Sequence, residues 1–283
     1  LKNAMQLKAL IKNISKSKNI SAQIVMQNYM LERLLERISV SRYQPNFILK
    51  GGFLIAAMVG LDTRATMDMD ATLRGMTVNR ETIRQMFEEL CRISLNDDIT
   101  FSVKHVEDIR ERDDYPGLRV ALEANYPPLA VPLKVDITTG DQITPREIVF
   151  EYKLMFEPTT SISVLAYNLE TVVAEKLETV ISRGDQNTRP RDYYDIFIIR
   201  KLQWQNIEPA TLRSALIATA TKRSSLSILK RYHDILETIS NSAVMKKRWL
   251  DYQSDFDYAH DILFLDICTM VREILDDLNL QLI

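Results

Sequence analysis

Two aspartates one residue apart, Asp68 and Asp70, close a stretch that opens with Lys50-Gly51-Gly52 and passes through Arg64-Ala65-Thr66-Met67. The alternation over 66–73 predicts a strand, which would turn both carboxylates to one side with Cα atoms about 6–7 Å apart. Carboxylates so placed can share a pair of Mg²⁺ (or Mn²⁺) ions roughly 3.5–4 Å apart. Ions of this type take hard oxygen ligands and bridge to substrate phosphates. That suits phosphoryl-type transfer, where negative charge spreads over phosphate oxygens and the protein mostly positions groups and neutralises charge. Lys134-Val135-Asp136-Ile137 offers a third carboxylate, Asp136, on a separate β segment able to lie beside the first. Gly51-Gly52 fits a phosphate-cradling turn at a helix start, where free amides face an anion and the backbone must come close. Lys50 and Arg64 supply cations nearby, and Thr66 a hydroxyl. Spacing alone proves little, since Asp255-Phe256-Asp257 repeats it without a glycine turn. The order carries the signal: a glycine pair, a short helix, a strand with two acids, and a later strand with a third.

The elements that would position these groups follow from periodicity. Residues 3–40 read as helix, 46–49 as a short buried strand, and 53–59 as a helix stopped by Gly60. Asn79 caps a helix to about residue 94. Strands are predicted at 99–109, 118–126 and 131–138, separated by turns at Tyr115-Pro116-Gly117 and Tyr126-Pro127-Pro128, with further strands at 148–156 and 162–165. From residue 168 the pattern is helical: 168–183, 190–202, 208–219, 223–240 and 259–280, and more weakly 242–253. The expected fold is therefore α/β (α+β): a domain with a mixed sheet over 1–162, followed by an all-helical domain over 163–283.

Bulk composition narrows the class without naming a partner. With 46% hydrophobic and 26% charged residues the chain reads as an ordinary soluble globular protein, and no apolar run is long enough to span a membrane. Two distant cysteines, Cys91 and Cys268, make a disulfide framework improbable and point to the cytoplasm. The net charge of −2 hides segregation. Between 183 and 231 there are ten Lys/Arg against four Asp/Glu, whereas residues 251–283 hold eight acids and one Arg. A polyanion-binding face is compatible with that pattern, and so are two solvated helix faces. The three histidines lie on separate segments, and no metal is assigned to them.

Taken together, Phe47-Ile48-Leu49-Lys50-Gly51-Gly52 and Asp68-Met69-Asp70 resemble the opening motif of the DNA polymerase β-like nucleotidyltransferases. More narrowly, the chain resembles the AbiEii/AbiGii toxin family, whose pattern is K-G-G followed by R-x-S/T-x-D-x-D. Asp136 stands where the superfamily carries its third acid. Ala174-Glu175-Lys176 resembles the family's A-E-K helix, and Arg189-Pro190-Arg191-Asp192-Tyr193-Tyr194-Asp195 its R-x-K/R-D-x-x-D segment. Thr66 replaces a frequent Ser, and Arg191 a frequent Lys. These matches cover residues 47–200.

The resemblance implies a metal-dependent nucleotidyltransferase with Asp68, Asp70 and Asp136 as metal ligands. Catalysis would rest on Asp68, Asp70, Lys176 and Asp192, and nucleotide binding on Lys50, Gly51, Gly52, Arg64 and Thr66. Lys176 would contact the phosphates, and Asp192 would complete the acceptor or base-activation site. From spacing alone, Glu175-Lys176 reads first as surface charge, and Asp192 can be read as an acid at a helix start. Asp195, Tyr193 and Tyr194 stay without a fixed role. The implied setting is an abortive-infection toxin that moves NMP from an NTP to an acceptor, the 3′ end of tRNA being favoured, alongside an antitoxin of AbiEi type. Two alternatives stand: a small-molecule transferase of aminoglycoside type, and a nucleotide-binding protein without catalysis.

Overall fold

A computed structural model describes residues 3–109 and 117–280; the turn expected at Tyr115-Pro116 lies outside them. The chain divides into two units, one of residues 1–141 with 147–166, the other of 142–146 with 167–283.

The first unit opens with two helices in place of the single one expected over 3–40. Helix α1 (Ala4–Lys18) ends at Asn19, which takes the left-handed conformation at φ 50°, and α2 (Ala22–Ser39) is capped by the Ser21 side chain. Asn and Ser both satisfy backbone groups locally, so a break where they cluster outcompetes continuing the helix. Strand β1 (Phe47–Lys50) runs straight into α3 (Gly51–Val59), so Gly51 and Gly52 form the first turn of that helix. Strand β2 covers Met69–Leu73, shorter than the 66–73 expected, and leaves Asp68 at its entrance. Asn79 caps α4 (Arg80–Cys91) by accepting from the Thr82 amide at 2.8 Å. Then come β3 (Thr100–Ile109), β4 (Gly117–Tyr126), β5 (Leu129–Thr139), β6 (Ile148–Lys153) and β7 (Ser161–Ala166).

These seven strands form one mixed sheet in the order β3-β4-β5-β2-β1-β7-β6. The pairs β2–β5 and β1–β7 are parallel and the rest antiparallel. Alternation is clean on β5, where Val131, Leu133, Val135 and Ile137 are buried and the residues between them are not. Helix α2 supplies much of the covering core through Val25, Met30, Leu31, Leu34 and Leu35. The boundary expected at 162/163 falls inside β7, whose pairing with β1 and β6 keeps it in this unit through Ala166.

The second unit is helical: α5 (Leu169–Arg183), α6 (Pro190–Leu202), α7 (Pro209–Lys222), α8 (Leu226–Leu229), α9 (Tyr232–Asn241), α10 (Ala243–Asp255) and α11 (Phe264–Asp277). The expected helix over 223–240 is two, α8 and α9, and the weakly patterned stretch over 242–253 is the full helix α10. Residues 142–146 join this unit through the Thr144 amide, which donates to Thr171 Oγ1 at 3.1 Å, and its carbonyl, which accepts from Asn168 Nδ2 at 2.7 Å. Such a return from 144 to 168 has no local sequence signature. Among the described residues, no helix is long and apolar enough to cross a membrane.

Candidate active site

The sheet register assembles the site. Lys50 on β1 is the Cα partner of Asp70 on β2, Asp70 is the partner of Asp136 on β5, and Asp136 is the partner of Arg119 on β4. Partners in register project to the same face, with neighbouring strands about 4.8 Å apart. A row reading cation, acid, acid, cation therefore crosses four adjacent strands. Asp68 precedes the buried Met69, so it and Asp70 lie on the same side of that residue, both part-exposed. Asp68 stands one residue before β2, and its charge acts on Arg119.

Each end of the row is closed by an ion pair. Arg119 grips both oxygens of Asp136, with Nε to Oδ1 and Nη2 to Oδ2 each at 2.8 Å. This is the forked geometry that a guanidinium makes best with a carboxylate. The Asp136 hydrogen bond, joined by the fields of Asp136 and Asp68, raises Arg119 above the usual arginine range against the opposing effect of desolvation. At the other end Lys50 Nζ lies 2.5 Å from Asp141 Oδ2, which also accepts from Thr138 Oγ1 at 2.7 Å.

Gly51 is required where it stands. Its φ of +68° is left-handed, and a Cβ there would run into the Asp70 carboxylate. Asp70 thus lies against the first turn of α3, where the helix dipole favours negative charge and the N-cap residue Lys50 makes no side-chain capping bond. A Cβ on Gly52 would come within 3.0 Å of Arg64 Nη2 and 3.1 Å of Thr66 Oγ1. Arg64 is buried and donates to the Ala65 carbonyl, and Thr66 Oγ1 donates to the Asp68 carbonyl at 3.3 Å. The Thr66 carbonyl in turn accepts from Asn28 Nδ2 at 2.6 Å. Arg64 and Thr66 hence brace the approach to Asp68 and pack on the glycine turn.

Lys176, Asp192 and Asp195 meet in the second unit. Lys176 Nζ is 2.7 Å from Asp192 Oδ1 and 2.9 Å from Asp195 Oδ2, with Asp195 fully buried. Burial by itself would lower Lys176, but the two carboxylates outweigh it and hold the amine above its ordinary range. The surface-charge reading of Lys176 is thereby excluded. Asp192 Oδ2 is buried with no hydrogen-bond partner. Tyr193 and Tyr194 are fully buried, Tyr193 against Phe264 at 5.3 Å and Tyr194 against Tyr258 at 4.7 Å between ring centroids. They serve as core.

Arg119 and Asp141 are absent from the sequence reading. The first was within reach of it. Strands β4 and β5 pair Tyr126 with Leu129 across Pro127-Pro128, and seven steps back from that turn on each strand Arg119 meets Asp136. Asp141 gave no such signal, because its partner Lys50 lies 91 residues away.

The donor chemistry suits a magnesium-type ion: carboxylate oxygens on one face, with a glycine leaving room beside Asp70. One feature opposes it. Among the described residues, no three His, Cys, Asp or Glu side chains are grouped closely enough to hold an ion, and the Asp136 oxygens face Arg119.

A family model described as nucleotidyl transferase AbiEii toxin, type IV toxin-antitoxin system, matches residues 33–273. The chain belongs to the AbiEii family. This AbiEii chain also shares its fold with two solved structures. One, described as a nucleotidyltransferase from H. pylori, has a TM-score of 0.52 at 15% identity, covering 92% of this chain and 97% of that one. The other, JHP933 from Helicobacter pylori, has a TM-score of 0.50 at 14% identity, covering 92% and 95%. At such identity the likeness speaks for the fold alone. No curated protein matches the sequence. The AbiEii chain is thus a nucleotidyltransferase of a toxin-antitoxin family, with a mixed sheet followed by helices α5–α11.

Proposed function

We propose that this protein transfers a nucleoside monophosphate from an NTP to the 3′ end of tRNA and releases pyrophosphate, as the toxin of a cytoplasmic abortive-infection system acting against phage. The observation that carries the reading is the row Lys50–Asp70–Asp136–Arg119, with Asp68 beside it. Counting Asp141, four carboxylates face two cations, a formal deficit of two positive charges. One divalent ion would balance that deficit, which argues for Mg²⁺ or Mn²⁺ on Asp68 and Asp70, with Asp136 as the third ligand. When bound, such an ion supplies charge neutralisation at the phosphates and lowers the pKa of an acceptor hydroxyl.

The chain's own groups do the rest. The amides of Gly51 and Gly52, at the start of α3, hold phosphate oxygens, and Lys50 adds a cation beside them. The acceptor hydroxyl gives its proton to a carboxylate of the acid set and forms a bond to the α-phosphorus. Pyrophosphate leaves with the electron pair of the broken α–β bridge. Asp192 completes the acceptor or base-activation site, and Lys176 contacts the phosphates. Arg191, Lys201, Lys222, Lys230 and Arg231, all exposed, supply phosphate contacts for a tRNA read largely by shape. The cognate antitoxin is of AbiEi type.

Incubation with Mg²⁺, total bacterial tRNA and each α-³²P-labelled NTP in turn, beside Asp70→Ala, tests this. Label on tRNA with wild type and none with the variant is expected. Label on no RNA, with nucleotide instead appearing on a small molecule or a protein, would overturn the acceptor.

A further inference from the structure

We propose that Arg119 is a removable counter-ion of the acid row: its guanidinium holds Asp136 in the metal-free protein and releases it when a divalent ion enters. The inference rests on the metal-dependent reading above and goes beyond it by assigning a competitor for the ion.

Three observations carry it. First, the fork lies on both oxygens of Asp136, with 2.8 Å to each. The carboxylate that should complete the ion's shell is thus already neutralised by a single positive charge. Second, Arg119 stands in register beside Asp136 and feels the charges of Asp68 and Glu107 as well as that of Asp136. A guanidinium there repels an arriving cation unless it moves. Third, the Arg119 side chain is 34% exposed, against 15% for Lys176. Water can take up its charge at modest cost when it swings out. Lys176 has no comparable way out from between two buried carboxylates. At the opposite end of the row Lys50 pairs with Asp141.

A residue that oriented Asp136 for the metal would strengthen binding; a counter-ion weakens it. The two roles therefore predict opposite signs. Mn²⁺ binding to the full chain without nucleotide, followed by electron paramagnetic resonance of the free ion, separates them. Arg119→Gln should bind Mn²⁺ roughly tenfold tighter than wild type, since a charge-assisted contact no longer competes. Arg119→Lys, which keeps the charge and loses the fork, should fall between them and replaces Arg119→Gln if that variant does not fold. Equal or weaker binding by the variant overturns the counter-ion. Asp70→Asn is run alongside. Binding that Asp70→Asn abolishes but Arg119→Gln leaves unchanged sinks this inference and spares the metal reading. Binding indifferent to Asp70, or absent throughout, sinks both.

Discussion

Two charge clusters of similar composition differ in how far water reaches their carboxylates. On the sheet, Asp68, Asp70 and Asp136 are part-exposed and Arg119 is the most open of the charges, although the Lys50–Asp141 pair is about as enclosed as Lys176. In the helical unit, Lys176 lies between Asp192 and Asp195 with hardly any access to water. An open cluster can exchange partners with a ligand, and its carboxylates contribute little to stability because solvent screens them. A buried cluster exchanges partners only if its surroundings move. Removing one member strands the others in low dielectric, so its loss is felt by the fold. Acid count and spacing do not show how tightly a cluster's charges are enclosed, whereas burial does.

The largest effect expected of this contrast is on Lys176. Lys176→Met leaves Asp192 and Asp195 buried without their cation and should cost about 3–5 kcal/mol in urea unfolding. A loss below about 1 kcal/mol would mean that the two carboxylates do not depend on their cation for stability. The sign with pH follows from the raised lysine. Its stabilising contribution is complete below the unfolded pKa and fades as pH climbs through the higher folded value, so wild type should lose stability in alkali and Lys176→Met should lose less.

Next in size is Gly51→Ala. A side chain at φ +68° is strained wherever it stands, and here its Cβ meets the Asp70 carboxylate. A loss of about 1–3 kcal/mol, accompanied by weaker metal binding, is expected from chemical denaturation and Mn²⁺ titration. An alanine variant with wild-type behaviour in both would show that Asp70 does not rest on the helix start.

The smallest effect concerns Glu32, a buried acid in the sheet unit but away from the row. It accepts from the Met155 amide at 2.6 Å and from Arg33 at 2.9 Å, and burial pushes its carboxyl up to about 7. A raised acid favours the protonated folded state. Its contribution is therefore full below the unfolded value near 4.5 and is lost as pH rises through about 7. Stability should fall by about 1–2 kcal/mol between pH 5 and 8, a slope that Glu32→Gln removes. A slope that persists in the variant would assign the titration to other groups.

The sequence made the architecture legible where periodicity is strong: the strands 118–126 and 131–138, the capped helix after Asn79, and the change to helices near 168. It also placed Asp70 on a strand, since a two-residue repeat needs no tertiary information, although the strand begins only after Asp68. What escaped it depends on partners far along the chain. Arg119 was available from hairpin register, but only once the turn at Pro127-Pro128 fixed which residues faced each other. Asp141 reaches Lys50 through folding of the whole sheet. The inward position of Lys176 could not be read, because Ala174-Glu175-Lys176 on a helix carries no mark of which residue faces the core. The break at Asn19 was missed because the apolar spacing runs on across it, while Asn19 and Ser21 end one helix and cap the next.

The central claim is that the open row does the chemistry and the fold does not depend on its charges. Transfer from an α-labelled NTP and unfolding in urea, measured on the same preparations of wild type and Asp70→Asn, test it most directly. Transfer is expected to fall about 10²–10³-fold while unfolding stability stays within about 1 kcal/mol. Full transfer by Asp70→Asn, or transfer lost together with the fold, would contradict it.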